Sequence, residues 1–375
     1  MTSPRRLPVS GAGVAGLSTG ITLGNLGHEV TIVERAAHLR TTGSAIDVRG
    51  EALEVADRLG LLDSIRAHRV RMTESSTFID PEGNRIAGMP VADVNDSPDD
   101  TEISRKDLAA ILHAALPPNT GVVFNESIKT LHDDGETVQV GFASGNQRQY
   151  DLVVGADGLH SATRRLIFGP ESDYLKHLGY YVALTELAPQ PALEGASPLL
   201  NLPDRMVGIV CFKDSAVGVF TFRSPWIDYD YHDPAASKQI LLDAYAGHQQ
   251  WRIPELLNAV RNDPELYFDS VSQIQLPSWH SGRVVLVGDA AHCASLLSGR
   301  GTSIAMTGAW FLAESLRQHP AVLAAALTGY EHLQRPRAER AQATAAPGGE
   351  LLVPATQAAI DARNEHFRSL EPARQ

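Results

Sequence analysis

The sequence predicts an α/β fold in which a parallel sheet flanked by helices is interrupted by a mainly antiparallel sheet and closed by C-terminal helices. Three observations predict it. A short apolar strand, Leu7 to Ser10, runs directly into Gly11-x-Gly13-x-x-Gly16 and a helical stretch, Leu17 to Leu26. Two later strands, Asp151 to Gly155 and Arg283 to Val287, also end in Gly/Asp turns followed by helical sequence. Between them, from about Leu178 to Leu276, the pattern changes to aromatic and β-branched runs with strand periodicity.

The chain has 375 residues, 43% hydrophobic and 20% charged, enough for a large core and two closely joined domains. Its net charge of −12 argues against nucleic acid as a partner, because phosphate neutralisation needs Lys/Arg patches. Two distant cysteines, Cys211 and Cys293, predict neither a disulfide framework nor a metal site. No apolar run reaches the ~20 residues of a membrane span. Arg5 and Arg6 precede a strand and turn rather than a signal sequence, so a cytoplasmic setting is expected. Oligomeric state is not readable.

In the first unit, Gly27-His28 ends the helix and Glu29 to Glu34 forms a second strand. This is a βαβ unit of about 30 residues, a Rossmann-like dinucleotide cradle. Gly11 permits the tight turn, Gly13 lets a pyrophosphate approach the backbone, and Gly16 lets helix and strand pack closely. The free N–H groups and dipole of the helix start face the phosphates. Glu34 lies 18 residues past Gly16, where a carboxylate accepts from ribose hydroxyls and repels a 2′-phosphate. This unit alone does not separate FAD from NAD.

Asp157-Gly158 forms the second turn, with Ser161 and Arg164 opening the next helix. Gly288-Asp289 forms the third, followed by His292 and by Gly299-Arg300-Gly301. Asp289 can accept from a ribityl hydroxyl, and the helix start near Gly299 and Gly301 can face a flavin edge or a phosphate. His292 is read as structural, hydrogen-bonding within its loop.

The order of the three segments resembles the single-component FAD-dependent aromatic hydroxylases, the p-hydroxybenzoate-hydroxylase-like monooxygenases that include tetracycline-modifying members. The resemblance covers nearly the whole chain. It implies a Rossmann-like FAD-binding domain with an inserted, mainly antiparallel substrate sheet and C-terminal helices. It assigns the ADP half of FAD to Gly11, Gly13, Val14, Ala15, Gly16, Glu34 and Arg35. Asp157 serves FAD and transient NADPH or NADH, and Asp289 binds the ribityl chain. The run Glu102-Ile-Ser-Arg105 looks like the helix start whose arginine contacts the flavin's linking region. The run Arg40-Thr-Thr-Gly43 to Arg49-Gly50 looks like the loop passing the isoalloxazine. Gly299, Gly301 and Thr302 belong to the turn beside the ring. Tyr330-Glu331 to Arg335-Pro336-Arg337 is similar to the family's C-terminal helix signature.

On this reading residues 1–175 are the first part of the FAD domain, with a small substrate-domain strand near 70–100. Residues 176–277 are the substrate domain, 278–340 the return to the FAD domain, and 341–375 a C-terminal helix and tail, with a loop over 341–349. Tyr181, Phe212, Phe220, Phe222 and Trp226 are candidate walls of a substrate pocket between the sheet and the flavin.

The implied reaction is hydroxylation of an aromatic or polyketide-like small molecule by NAD(P)H and O₂, through a flavin C4a-hydroperoxide. The cofactor carries the chemistry, so no catalytic side chain is required. No metal is implied. One departure stands out: Leu296 occupies the family's proline position and Arg300 its glutamine position. Leu296 removes a φ restraint and Arg300 adds positive charge near the ring. Arg49, Leu296 and Arg300 are therefore the candidates for influencing ring chemistry. The alternative that Leu296 and Arg300 motivate is a flavoenzyme of the same fold with non-hydroxylating chemistry: oxidation, or a flavin-scaffolded rearrangement or cyclisation.

Overall fold

The computed structural model describes residues 4–39, 45–70, 76–89, 97–190, 193, 197–211 and 216–371. The first layer is a six-stranded sheet. Its strands run in the order His280–Ser281, Val284–Leu286, Val153–Gly155, Arg6–Ser10, Glu29–Glu34 and Thr120–Phe124. All neighbours are parallel except the edge pair His280–Ser281 and Val284–Leu286. Parallel strands buried on both faces are apolar throughout, and Leu7, Val9, Val153, Val154, Val284 and Val285 fit that rule.

The helix Val14–Asn25 is buried from Ala15 to Gly24 because it lies between this sheet and the long helix Gly301–Gln318. Nearly every side chain on it is small or apolar, as an all-round buried helix requires.

The second layer is a seven-stranded sheet in the order Tyr267–Ile274, Leu175–Leu187, Ala216–Arg223, Arg205–Cys211, Pro198–Leu202, Thr77–Ile79 and Arg85–Gly88. It is antiparallel except where Pro198–Leu202 meets Thr77–Ile79. The strand expected near 70–100 is thus a two-stranded extension of this sheet. A three-stranded sheet (Ile128–Asp133, Val138–Phe142, Gln147–Tyr150) and a two-stranded ribbon (Ile46–Val48, Thr101–Ile103) complete the β structure among the described residues.

The large sheet has two dissimilar faces, set by the period of two along each strand. One packs under the helices Pro234–Ala244 and Ile253–Asn262 and carries Tyr181, Phe220, Phe222 and Phe268. The other carries Tyr180, Val182, Leu184 and Val271, and packs with Leu297, Leu351 and Val353.

The chain ends in Leu323–Ala343, Ala345–Leu352 and Gln357–Leu370. The loop expected over 341–349 is a correction: only Thr344 separates two helices there. Pro347 falls in the first turn, where its missing N–H costs no helical bond. Gly348 and Gly349 are small because the helix presses on its neighbours. A Cβ on Gly348 would stand 2.5 Å from the Leu297 carbonyl oxygen, and one on Gly349 2.8 Å from the Tyr180 ring.

Candidate active site

The strand register brings the three glycine-bearing turns together. Ser10 pairs with Gly155, and Gly155 with Leu286, so three parallel strands end at one level. Gly11, Asp157 and Gly288-Asp289 follow those ends at once. The turns touch. At Gly11 (φ +103°) a Cβ would lie 2.6 Å from the Ala156 carbonyl oxygen, and at Gly288 a Cβ would lie 2.6 Å from the Ala15 Cβ. At Gly16 it would lie 1.9 Å from the Gly11 carbonyl oxygen. Gly13 differs: it is exposed, and a Cβ there would meet nothing within 4 Å. Gly11 and Gly16 are small to satisfy the protein, whereas Gly13 faces open space at the start of a helix.

Glu34 braces this turn. Its carboxylate accepts from the backbone N–H groups of Ala12 (2.8 Å) and Ala36 (2.9 Å). Arg35 beside it is exposed. Asp157 has a clear structural duty. It accepts from the Ser161 hydroxyl and from the Thr163 N–H (2.9 Å) and hydroxyl (3.0 Å), and so holds the start of the helix Ala162–Phe168.

Arg164, fully buried, ties the second segment to the third by donating to the Ala290 carbonyl (3.1 Å), and it pairs with Glu171 (2.5 Å). The same Glu171 accepts from His160 Nδ1 (2.7 Å), while His160 Nε2 reaches Asp269 of the large sheet (3.1 Å). Burial alone would depress the imidazole. The hydrogen bonds it donates to two carboxylates, Asp269 and Glu171, outweigh burial and raise His160 to about 9. The sequence singled out neither His160 nor its partners, because Glu171 and Asp269 are remote from it along the chain.

A second constellation surrounds the start of the helix Gly301–Gln318. Ser303 Oγ accepts from the Arg49 N–H (3.0 Å) and donates to the Asp47 carbonyl (3.2 Å). The buried Arg49 guanidinium pairs with Asp47 at 2.7 Å and lies 3.8 Å from where a Cβ on Gly299 would be. Arg49, Gly299, Gly301 and Thr302 are therefore neighbours. Asp289 follows Gly288, where a Cβ would lie 3.7 Å from the Ala305 Cβ of this helix. Burial pushes its carboxyl up, against the pull of Arg105. Arg105 opens the helix Arg105–Ala114, capped by the Ser104 hydroxyl, which accepts from the Asp107 N–H (3.0 Å) and donates to the Asp107 carboxylate (2.6 Å).

The turn Leu296–Ser298 begins at Ser295, which has φ +82°. Leu296 is 46% exposed, an apolar side chain held open rather than packed. Arg300 is half-buried and its N–H donates to Ser298 Oγ (3.1 Å).

Several expectations need correction. Tyr181, Phe220 and Phe222 are core under the outer helices, on the face away from the Leu296–Ser298 turn. Trp226 is 54% exposed, its ring edge on His177. The opposite face carries Tyr180 and Val182, one residue out of phase, and these are buried in turn against Leu351 and Val353. His292 was expected to hydrogen-bond within its loop, but neither ring nitrogen meets a hydrogen-bond partner. It packs 4.6 Å from Trp279, and burial lowers it to about 4, so it is neutral. In the C-terminal helix signature, Arg335 and Arg337 lie over Trp279 and Phe311 and pair with Glu331 and Glu51. Arg40, Gly43 and Phe212 fall outside the described residues.

Comparison with known proteins decides between the cofactors. The FAD binding domain family matches residues 7–173 and 268–345, leaving out most of the large sheet. The chain belongs to this family. It is an FAD-dependent monooxygenase, an oxidoreductase. A flavin-dependent monooxygenase from an unknown prokaryotic organism is 34% identical over 354 residues, 92% of this chain and 89% of that one. An uncharacterised protein of Mycobacterium tuberculosis is 40% identical over 315 residues, covering 82% and 84%. The crystal structure of the tetracycline destructase Tet(55) superposes with a TM-score of 0.85 at 32% identity, covering 98% of this chain and 96% of that one. FAD fits the monooxygenase's own residues: the open ledge at Gly13 sits at a helix N-terminus with donors free to meet a pyrophosphate. Among the described residues no helix is long and apolar enough to cross a membrane.

Proposed function

We propose that this monooxygenase uses NAD(P)H and O₂ to hydroxylate an aromatic or polyketide-like small molecule. The observation that carries this reading is the inner face of the seven-stranded sheet. Tyr180, Val182, Leu184 and the half-buried Tyr267 and Val219 form an apolar cluster continuous with Leu297 of the turn beside Arg49 and Gly299. A flat, apolar, electron-rich ring suits the half-buried margin of this cluster at Tyr267, Val219 and Leu297, since aromatic stacking adds to plain area burial. The name of the solved relative, tetracycline destructase, points to the same class of compound.

Bound FAD supplies the redox chemistry, accepting electrons from the nicotinamide and activating oxygen. The chain holds and shields it. The N–H groups of the Gly11–Gly16 turn and the dipole of Val14–Asn25 bind the pyrophosphate. Glu34 accepts from the adenosine ribose and Asp289 from the ribityl chain, with Arg105 alongside. The helix start at Gly301 offsets negative charge at the ring, and Arg49, paired with Asp47, lies beside it. The inner sheet face and Leu296 exclude water from the substrate.

The test is substrate-stimulated NAD(P)H oxidation under isotopically labelled O₂, with a panel of phenols and fused-ring polyketides. One labelled oxygen atom in the product is expected. Substrate-stimulated NAD(P)H consumption with an altered product that carries no label would overturn hydroxylation in favour of non-oxygenating chemistry.

A further inference from the structure

One acidic group beside the proposed flavin site has no part in the function above. Glu102 sits on Thr101–Ile103, directly across the antiparallel ribbon from Asp47 on Ile46–Val48. Cross-strand partners share a face and stand about 5 Å apart, a costly arrangement for two carboxylates. Arg49 falls on the same face by the two-residue period and is already paired with Asp47 at 2.7 Å. Ile46, Val48, Thr101 and Ile103 form the buried opposite face.

The other charges around Glu102 come from three places. Arg69, bridged to Ile103, is exposed. Asp100 is buried next along the chain and accepts weakly from the Gly50 N–H at 3.4 Å. Arg105 follows on the helix and acts on Asp289. From Gly301–Gln318, Ser303, which does not titrate, hydrogen-bonds to the ribbon strand at Asp47 and Arg49. Arg49 and Asp47 cancel, so an ionised Glu102 leaves the ribbon with an uncompensated negative charge, and a protonated Glu102 leaves it neutral.

We propose that Glu102 is a proton-holding positioning residue at the flavin site, taking up one proton from solvent as FAD binds. This rests on the assignment of the Arg49–Gly299–Gly301 neighbourhood to the flavin ring. Two effects push the same way. FAD brings negative charge in its pyrophosphate, and a ring laid against the ribbon removes water from the carboxylate. Both favour neutral Glu102, so protonation and FAD binding reinforce each other by linkage. Burial, then Asp47, against the weaker pull of Arg49 and Arg69, already raise this carboxyl to about 7. The coupling therefore operates at neutral pH. FAD affinity is highest below about pH 7 and falls above it, levelling off at the bound-state value. A tenfold fall corresponds to a bound-state rise of about one pH unit.

The experiment is titration of FAD into full-length apoprotein between pH 6 and 9 at constant ionic strength, followed by flavin fluorescence. The wild type is expected to lose roughly 3- to 10-fold in affinity as pH rises past about 7. Glu102→Gln, which keeps shape and hydrogen bonding, is expected to bind with the acid-limb affinity at every pH. Asp47→Asn removes the like charge, so its fall in affinity should move to lower pH. A Glu102→Gln protein that keeps the wild-type pH profile, or loses affinity equally at every pH, would overturn the inference and leave a structural role. Flavin bound tightly with no pH dependence in the wild type would overturn the inference alone. Absence of FAD binding at any pH would overturn the flavin assignment and the inference with it.

Discussion

Gly13→Val separates a glycine kept for a ligand from one kept for the fold. Gly13 has φ −75° and ψ −174°, an extended conformation open to any L-residue, and a Cβ there meets nothing within 4 Å. The substitution therefore costs the fold little: about 1 kcal/mol or less for replacing an N-cap glycine, a melting shift of roughly 2–4 °C. The branched side chain nevertheless fills the space in front of the helix start. Losing two charge-assisted hydrogen bonds to a pyrophosphate costs about 3 kcal/mol or more, at least a hundredfold in affinity. Gly16→Ala is the contrast, because its Cβ would stand 1.9 Å from the Gly11 carbonyl oxygen. Thermal melts and flavin content, measured on the same preparations, check both. Gly13→Val should melt near the wild-type apoprotein and purify without flavin, and Gly16→Ala should be destabilised even without ligand. A folded Gly13→Val protein with stoichiometric FAD would refute the reasoning.

Further outcomes follow from the same geometry. Phe220→Leu lies in the core under the outer helices, so it should lower stability by about 1–1.5 kcal/mol and leave KM unchanged; a raised KM with intact stability would return Phe220 to the pocket wall. Gly348→Ala drives a methyl against the Leu297 carbonyl and should cost about 1–3 kcal/mol while altering flavin fluorescence; an unchanged melting curve would contradict the close packing. His160 is raised to about 9, so its ion pairs stabilise the fold fully below the unfolded value of about 6.5 and are lost as pH rises through about 9. Urea unfolding should show wild type exceeding His160→Gln by about 2 kcal/mol at pH 6, with the gap closing toward pH 9.5; a gap independent of pH would contradict a charged imidazole.

The parts of this architecture carried by local signals were legible in the sequence. Strand, glycine turn and helix recur within short windows, so Arg6–Ser10, Val14–Asn25 and Glu29–Glu34 fall where the spacing puts them. The three Gly/Asp turns meet at the C-terminal ends of adjacent parallel strands. What was not legible depends on contacts between distant residues. Alternation along Leu175–Leu187 separates Tyr180 from Tyr181, but only the packing of Pro234–Ala244 reveals that Tyr181 is on the helix-covered face. Pro347, Gly348 and Gly349 read as a loop because their helical role comes from Leu297 and Tyr180, far away in the chain. Glu102 drew no attention of its own because its partner, Asp47, comes from another strand. The Arg164–Glu171–His160–Asp269 cluster was hidden for the same reason.

The most direct test of the central claim is the visible spectrum of the purified protein, recorded anaerobically before and after adding NADPH or NADH with candidate aromatic substrates, and again on return to air. The account predicts a flavin spectrum that bleaches with the nicotinamide and recovers in oxygen. A protein that stays colourless after incubation with FAD, or bound flavin that no nicotinamide and substrate combination bleaches, would contradict it.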